Sequence, residues 1–371
     1  MKIDRAALRA YTMVFALVAI WIFFEWRTDG VFLRPVNLAN LLKQMSVTGV
    51  LAVGMLFVIV ARQIDLSVGS LVGLAGGIAA MTQGWGLVPC FLAALATGVA
   101  AGALSGALVA YLNIPSFIVT LGGLLTWRGV ILWLSKGETI PVRLTVFRTL
   151  GIALMTPASG IGMGVAAVAA VIWLTFRRNA ARRRHGLPVP GAAATALRIV
   201  VPSLLIAAFV AVMNAQGGVP LPVIVLLAVA IAGHFLTQST TFGRYLYAIG
   251  SNPDAARLSG VDLPKHILAA FALLGGLVGV AALLHTGRVG SASPDAGTLM
   301  ELDAIAACVI GGTSLMGGRG KVSGALLGAL VMASLDNGMS LLSVENATQY
   351  IIKGAVLVAA VGFDMAGRRK G

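Results

Sequence analysis

Charged and hydrogen-bonding side chains inside or beside long apolar runs are the residues of this sequence best suited to chemistry. An isolated charge in hydrocarbon is costly, so such groups usually face a cavity or one another. They could bind a polar solute or relay a proton; the alternative is a structural ion pair or a side chain that reaches the membrane interface. Arg62, Glu301 and Lys353 share this placement, and the main candidates are Asp65, Ser67, Asn113, Arg128, Asp303, Asp336 and Asn337.

The sequence contains no recognisable catalytic constellation. Its histidines, His185, His234, His266 and His285, are scattered and lack the spacing of metal ligands. The GGRGK stretch at 317–321 does not have the spacing of a phosphate-binding GxxxxGK[ST] loop. We therefore predict no catalytic residue and no metal site. If this chain moves a solute uphill, another chain must hydrolyse the ATP.

The elements that position these residues are membrane-spanning helices. Of 371 residues, 58% are hydrophobic and 11% are charged, and the mean hydropathy is +0.94. Soluble domains carry about 25% charged residues. The sequence thus predicts an all-α, polytopic transmembrane helix bundle that forms a single domain over residues 1–371. We predict about twelve spans, within a range of about ten to twelve, near 8–26, 44–61, 66–83, 87–112, 116–135, 152–176, 197–213, 219–237, 265–286, 302–316, 322–342 and 348–364.

Two further features concern the number of spans and their packing. The 302–316 segment is short and could equally be a re-entrant loop, which is tolerated at depth only where it lines protein or water. The stretches at 66–77, 98–110 and 322–334 carry small residues at helical spacing, which lets helix backbones pack closely.

The distribution of lysine and arginine predicts the orientation. With the N terminus in the cytosol, 18 of the 27 basic residues fall on the inner side and 7 on the outer side. Short cytosolic loops carry such an excess, so both termini, a basic loop at 177–198 and the segment 238–264 are predicted to be cytosolic. The net charge of +14 is then a topology signal, and no nucleic-acid partner is expected.

The polar segment 238–264 lies between two long apolar runs and contains a helix signature. Asn252 is a good N-cap, Pro253 suits the first helical position, and Gly260 suits the end, so we predict a helix over Pro253–Ser259. Pro264 is expected to stop the helix from resuming. Ala255 and Ala256 would allow another protein surface to approach closely. The alternative is an ordinary polar loop between two spans.

Four blocks carry a resemblance to a known family. AVGMLFVIVARQIDLSVGSLVGL (52–74), PSFIVTLGGLLTWRG (115–129), FGRYLYAIGSNPDAARLSGV (242–261) and AIAACVIGGTSLMGGRGKVSGALLGALVMASLDNGMSLL (304–342) resemble the membrane permease subunits of bacterial ABC sugar importers. The similarity is to the ribose, xylose and arabinose branch, and it is strongest to the xylose type. That type resembles this chain at 301–318 and 332–340 and has an additional pair of spans around the 177–198 loop.

The resemblance implies a homodimer in the bacterial inner membrane, working with a cytosolic ABC ATPase and a periplasmic or lipid-anchored sugar-binding protein. The chain itself would hold no cofactor, because ATP is bound by the partner. The segment 238–264 would then be the coupling segment that docks on the ATPase. Its docking residues would be Gly243, Arg244, Asn252, Pro253, Ala255, Ala256, Arg257 and Gly260, and the polar residues within the spans would line the translocation pathway.

Two other functions stay open at this stage. An ion-coupled secondary transporter could use Asp65, Asp303 and Asp336 as relay groups and would need no ATPase. An ABC permease for another small polar solute, such as ribose, arabinose or a branched-chain amino acid, would differ only in its cargo.

Overall fold

The chain folds into a bundle of long helices with several short ones at its ends. The computed structural model describes the backbone of residues 5–369 and the side chains of residues 13–362. The predicted inner-side charges Lys2, Arg5, Arg9, Arg368, Arg369 and Lys370 lie outside the described side chains. The helices are α1 Arg5–Arg27, α2 Pro35–Val60, α3 Val68–Met81, α4 Leu87–Tyr111, α5 Ser116–Ser135, α6 Thr145–Ile152, α7 Pro157–Arg184, α8 Ala192–Ala215, α9 Leu221–Ser239, α10 Thr241–Ser251, α11 Pro253–Leu258, α12 Leu263–Val289, α13 Met300–Ile310, α14 Val322–Leu341 and α15 Asn346–Arg369.

Helix α2 forms the centre of the bundle. Its residues from Gly49 to Val60 are all buried, and α9, α12, α13 and α14 pack around it. A helix that is apolar on every side must be surrounded by other helices or by lipid. At 26 residues, α2 is about 39 Å long, which matches a bilayer with its headgroups.

Helices α4 and α12 pack backbone against backbone. A Cβ atom on Gly98 would overlap the carbonyl of Gly275, and one on Gly102 would overlap that of Phe271. From Gly98 to Gly102 along α4, the contacted residue moves back along α12 from Gly275 to Phe271, so the two helices run antiparallel. This confirms the close packing predicted from the small residues at 98–110.

Most predicted spans coincide with helices. Eight helices are long and apolar enough to cross a membrane, counting only described residues: α2, α4, α5, α7, α8, α9, α12 and α14. Helices α1 and α15 also match predicted spans in position, although each runs into residues whose side chains lie outside the described range. The total of twelve and the location of the termini stay predictions.

Two predicted boundaries are wrong for identifiable reasons. Helix α2 begins at Pro35 and not near 44, because proline suits the first turn and polar residues are tolerated along it. Helix α7 continues to Arg184, so the predicted basic loop at 177–198 is helical as far as Arg184 and reduces to 185–191 before α8 begins. The alanines and arginines at 177–184 are good helix formers, and the positive charges suit a helix C-terminus.

Two predicted spans, at 66–83 and 302–316, are interrupted. Each contains only a short helix that follows a stretch of irregular backbone, and we name these two regions the interrupted spans. Helix α3 has only 14 residues and follows a non-helical stretch at 61–67. Helix α13 has only 11 residues and follows an irregular stretch at 293–299. Neither helix is long enough to cross a bilayer alone, since a crossing needs about 20 residues. Irregular backbone at this depth must be buried in protein or line a cavity.

The two ends of the bundle differ. Helices α10 and α11 lie at one end, which we name the coupling end. The opposite end carries α6 and a small antiparallel sheet of β1 (Ile140–Pro141) and β2 (Ser291–Ala292). Helix α12 connects the two ends, and its 27 residues extend about 40 Å.

Candidate coupling surface and interrupted-span site

The coupling end is built from two short helices with side-chain caps. Thr240 begins α10 by accepting a hydrogen bond from the N–H of Gly243 at 3.2 Å. Asn252 begins α11 by accepting from the N–H of Ala255 at 3.0 Å, as predicted. Gly260 follows α11 with φ of +82°, a conformation that favours glycine. These caps fix where α11 points, because they satisfy N–H groups that a short helix cannot satisfy itself.

The sequence prediction missed two features of this segment. It placed one helix at 253–259, whereas α10 is a second helix in the same segment. The role given to Pro264 is wrong. Helix α12 begins at Leu263 with Pro264 in its first turn, and Asp262 caps it by accepting from the N–H of Lys265 at 3.1 Å. Proline is tolerated in a first turn because the N–H it lacks would have no partner there.

The predicted docking residues differ in exposure. Ala256 is buried against Ile249 and Leu263, so it anchors α11 to the bundle and offers no surface to a partner. Gly243 is also buried, since a Cβ there would overlap the end of α9, and Pro253 is half-buried. The remaining residues are exposed: Arg244, Asn252, Ala255, Arg257 and Gly260.

Leu258 is an exposed apolar residue that sequence reasoning missed. It is 90% exposed at the end of α11, among polar neighbours. Tyr245 on α10 is 40% exposed. The position of Leu258 within NPDAARLSG was visible in the sequence. The exposure of its side chain follows from the packing of α11, whose buried face contains Ala256.

Helix α10 also contacts the ends of two spans. Gly250 lies so close to Val60 and Gly318 that a Cβ would overlap their backbones. The N–H of Gly318 donates to the carbonyl of Val60 at 2.9 Å. The Tyr247 hydroxyl donates to the carbonyl of Gly320 at 2.8 Å, and burial raises its pKa. The coupling helices are thus connected to α2 and to the loop at 311–321.

The two interrupted spans meet inside the bundle. A Cβ on Gly69, in the first turn of α3, would overlap the carbonyl of Gly297 and the carboxylate of Glu301. At the break before α3, the Asp65 carboxylate accepts from the N–H of Ser67 at 2.8 Å and from its hydroxyl at 2.7 Å. Asp65 and Ser67 therefore form one buried hydrogen-bonded group immediately before α3. In transporters, such broken helices frequently surround the solute path.

Arg128 connects α5 to the irregular stretch at 293–299. Its guanidinium donates to the carbonyl of Pro294, to that of Ala296 at 3.0 Å and to the Thr298 hydroxyl at 3.3 Å. These bonds satisfy carbonyl groups that no helix or sheet satisfies, which is a requirement at membrane depth. The partners lie far away in sequence, so they could not be predicted from the residues around Arg128.

Asp303 and Asp336 meet at Lys353. The Lys353 Nζ lies 3.0 Å from a carboxylate oxygen of each, joining α13, α14 and α15. The second oxygen of each aspartate is buried and has no hydrogen-bond partner among the described residues. Two carboxyl groups thus share one amine in this partly buried group. In the sequence, Lys353 lies within an apolar run, as the main candidates do. In the structure, it contacts two of those candidates, Asp303 and Asp336.

The last two candidates lie apart from these groups. Asn337 accepts a hydrogen bond from the Asn37 amide at 2.8 Å, joining α14 to α2 near the opposite end. Asn113 is exposed, with φ of +55°, in the turn between α4 and α5, a conformation that asparagine adopts more readily than most residues. The structure does not bring either one to the interrupted spans. Within the described part of the chain, no group of three or more potential metal ligands occurs.

A bundle with eight long apolar helices, counted within the described residues, defines a multi-pass membrane protein. The chain belongs to the family described as "branched-chain amino acid transport system / permease component", which matches residues 37–361. It is thus a permease component located in the bacterial inner membrane.

Curated relatives match over almost the whole chain. The "xylose transport system permease protein XylH" of Escherichia coli K12 is 43% identical over 366 residues, covering 98% of this chain and 93% of the relative. The protein of the same name from Haemophilus influenzae is 43% identical over 373 residues, covering 100% and 99%. The "ribose import permease protein RbsC" of Escherichia coli K12 is 35% identical over 334 residues, covering 88% and 85%. No solved structure gives a significant match to the chain.

Proposed function

We propose that this chain is the membrane permease subunit of an ATP-driven importer of D-xylose or a closely related monosaccharide. Two copies form the translocation pathway, a cytosolic ATPase docks on α10 and α11, and a sugar-binding protein delivers the solute at the opposite end. The permease subunit holds no cofactor. The observation that carries the proposal is the 43% identity, over 98% of the chain, to a protein named as a xylose permease.

The contacts at the coupling end support a mechanical role for α10 and α11. A partner bound to the exposed face of α11 would meet Leu258, Arg257 and Ala255. Motion of α10 would pass directly to Val60 and Gly318, because Gly250 touches both backbones. Val60 ends α2, which precedes the broken span of α3, and Gly318 follows the broken span of α13. Rigid-body motion of packed helices is a common way to switch a transporter between two openings.

Ion-coupled transport fits these contacts less well. Asp303 and Asp336 both contact Lys353, and Asp65 is engaged with Ser67. A relay through them would have to break these bonds. Ribose stays a second candidate cargo, because a protein named as a ribose permease is 35% identical over 88% of the chain.

The test of this function is reconstituted uptake. The permease, its ATPase and its binding protein are placed in liposomes, and labelled D-xylose uptake is measured with ATP in the presence of an uncoupler. We expect uptake that requires ATP and all three components, with unlabelled D-xylose competing better than ribose or leucine. Uptake driven by an ion gradient with the permease alone would contradict the proposal. Stronger competition by ribose would change only the cargo.

Docking at α11 is tested separately by Leu258→Glu. The substitution places a charge on an exposed surface, so we expect normal membrane insertion but loss of ATPase co-purification and of ATP-dependent uptake. The matched control is Leu187→Glu, because Leu187 is also exposed, at 56%, in the loop at 185–191 that is predicted to lie on the same side. If the two variants retain the ATPase equally, α11 is not the docking surface.

A further inference from the structure

A polar cleft opens at the end of the bundle opposite to α10 and α11, and Asn337 is the one residue of its lining that was predicted above to have a role in transport. It has a volume of about 450 Å³ and lies between α2, α12 and α14. The side chains relevant here are Asn40, Lys43, Gln44, Arg288, Asn337 and Ser340. Such a lining is unusual between helices that are otherwise apolar.

The charge of the cleft is one-sided. Lys43 and Arg288 both line it, and its lining contains no aspartate or glutamate. Neither cation forms an ion pair within the described part of the chain. The Nε of Arg288 is buried and has no hydrogen-bond partner among the described residues. Lys43 and Arg288 are both half-buried. Two half-buried cations with no acidic residue beside them give the cleft the character of an anion site.

The Lys43 side chain can reach the depth of lipid phosphates. Lys43 lies eight residues after Pro35, at the start of α2, which corresponds to about 12 Å along the helix. The headgroup layer on each side of the hydrocarbon is about 6 Å thick. The lysine side chain is long enough to bring its ammonium from this depth to the headgroup level. Arg288 is the second-last residue of α12 and lies nearer the surface.

We propose that this cleft binds the phosphate of an anionic phospholipid. Lys43 and Arg288 would bind the phosphate oxygens, and Asn40, Gln44 and Ser340 are placed to bind the polar part of the headgroup. Basic pockets between membrane helices recognise lipid headgroups through this combination of charge and hydrogen bonds. The site is independent of the cargo. It lies in the outer leaflet if the proposed topology holds.

Native mass spectrometry of the purified full-length chain tests the proposal. The protein is incubated with phosphatidylglycerol or with phosphatidylethanolamine, and retained lipid is counted. We expect preferential retention of phosphatidylglycerol, and a loss of about tenfold or more in its affinity in the double variant Lys43→Gln/Arg288→Gln. Arg143→Gln is the control, because Arg143 is exposed at the same end of the bundle. Arg288→Lys preserves the charge, so it should fold and keep most of the lipid.

Three other outcomes would overturn the proposal. Equal retention of both lipids by the unaltered protein would indicate general interfacial contact. Thermal stabilisation by inorganic phosphate without retention of phosphatidylglycerol would indicate a site for a free anion. Loss of binding-protein association in the double variant, with lipid retention unchanged, would indicate that the cleft accepts a carboxylate of that partner.

Discussion

Arg128 holds an irregular stretch of backbone inside the bundle. The arginine was a candidate from its position in an apolar run, but its three acceptors lie at 294, 296 and 298, more than 160 residues away. Residue type and local hydropathy identify a charge inside an apolar run, because the cost of placing it there is local. The identity of the partner depends on how distant helices pack.

We expect Arg128→Gln to reduce uptake by about tenfold or more with the ATPase still bound. Hydrogen bonds from a charged donor contribute about 1.5 to 3 kcal/mol each, and glutamine cannot replace all three. Arg128→Lys should be intermediate, because lysine keeps the charge but lacks the planar fork of donors. Uptake and ATPase co-purification are measured together, with Arg143→Gln as an exposed control. Normal uptake by Arg128→Gln would show that 293–299 needs no anchor.

Asp303, Asp336 and Lys353 had two possible roles that the sequence could not separate. From the sequence, each residue could be a pathway group or part of an ion pair. The structure brings all three together at 3.0 Å, so the ion pair is realised. The spacing of Lys353 from either aspartate along the chain gave no indication of this.

We expect Lys353→Met to lower the free energy of unfolding by about 3 to 5 kcal/mol, because it leaves the buried Asp303 and the half-buried Asp336 without their cation. The triple variant Asp303→Asn/Asp336→Asn/Lys353→Met removes all three charges and should recover most of that stability. The measurement is the thermal midpoint in detergent. An unchanged midpoint in Lys353→Met would contradict the structural role. A stable triple variant without uptake would favour a role in ion movement.

At the scale of elements, apolar periodicity and caps predict most of the helices, and broken spans are the main difficulty. The segment 116–135 matches α5 at both ends, and the Asn252 cap of α11 is confirmed. Helix α3 falls two residues short of each end of the span predicted at 66–83. Helix α13 ends at Ile310, six residues before the predicted end at 316, because the chain continues there as an irregular loop. Their backbone is stabilised by contacts such as Gly69 with Gly297 and Glu301, which no local signal encodes. Helix α10 was missed because its polar residues resemble a loop.

Helices α7 and α8 form a hairpin that should be removable. They pack chiefly on each other. The segment before α7 is joined to the segment after α8 by two hydrogen bonds, from the Met155 N–H to the Val219 carbonyl at 2.8 Å and from the Leu221 N–H to the Ala153 carbonyl at 2.9 Å. Replacing residues 156–218 by a short glycine linker should preserve insertion and ATPase co-purification. A small loss of thermal stability is expected, since Met213 is buried against α2. Degradation of the shortened chain in the membrane would show that the hairpin is essential to folding.

At the scale of the whole molecule, the bundle has different surfaces at its two ends. One end presents α10 and α11, which contact the end of α2 and the loop at 311–321, and the other carries α6 and the small sheet. Composition indicates the membrane bundle, and the basic residues predict its orientation. The path between the ends depends on tertiary contacts. The sequence therefore identifies polar candidate residues within the spans but does not predict which of them lie together.

The central claim is that α11 faces the cytosol and is covered by an ATPase. Single cysteines at Leu258 and at Glu138 test it directly, because both positions are exposed at opposite ends and the native Cys90 and Cys308 are buried. Labelling with a membrane-impermeant maleimide is compared in intact spheroplasts and inside-out vesicles. We predict that Leu258→Cys is labelled only in inside-out vesicles and is protected by the ATPase, while Glu138→Cys is labelled from outside. Labelling of Leu258→Cys in intact spheroplasts would contradict the account.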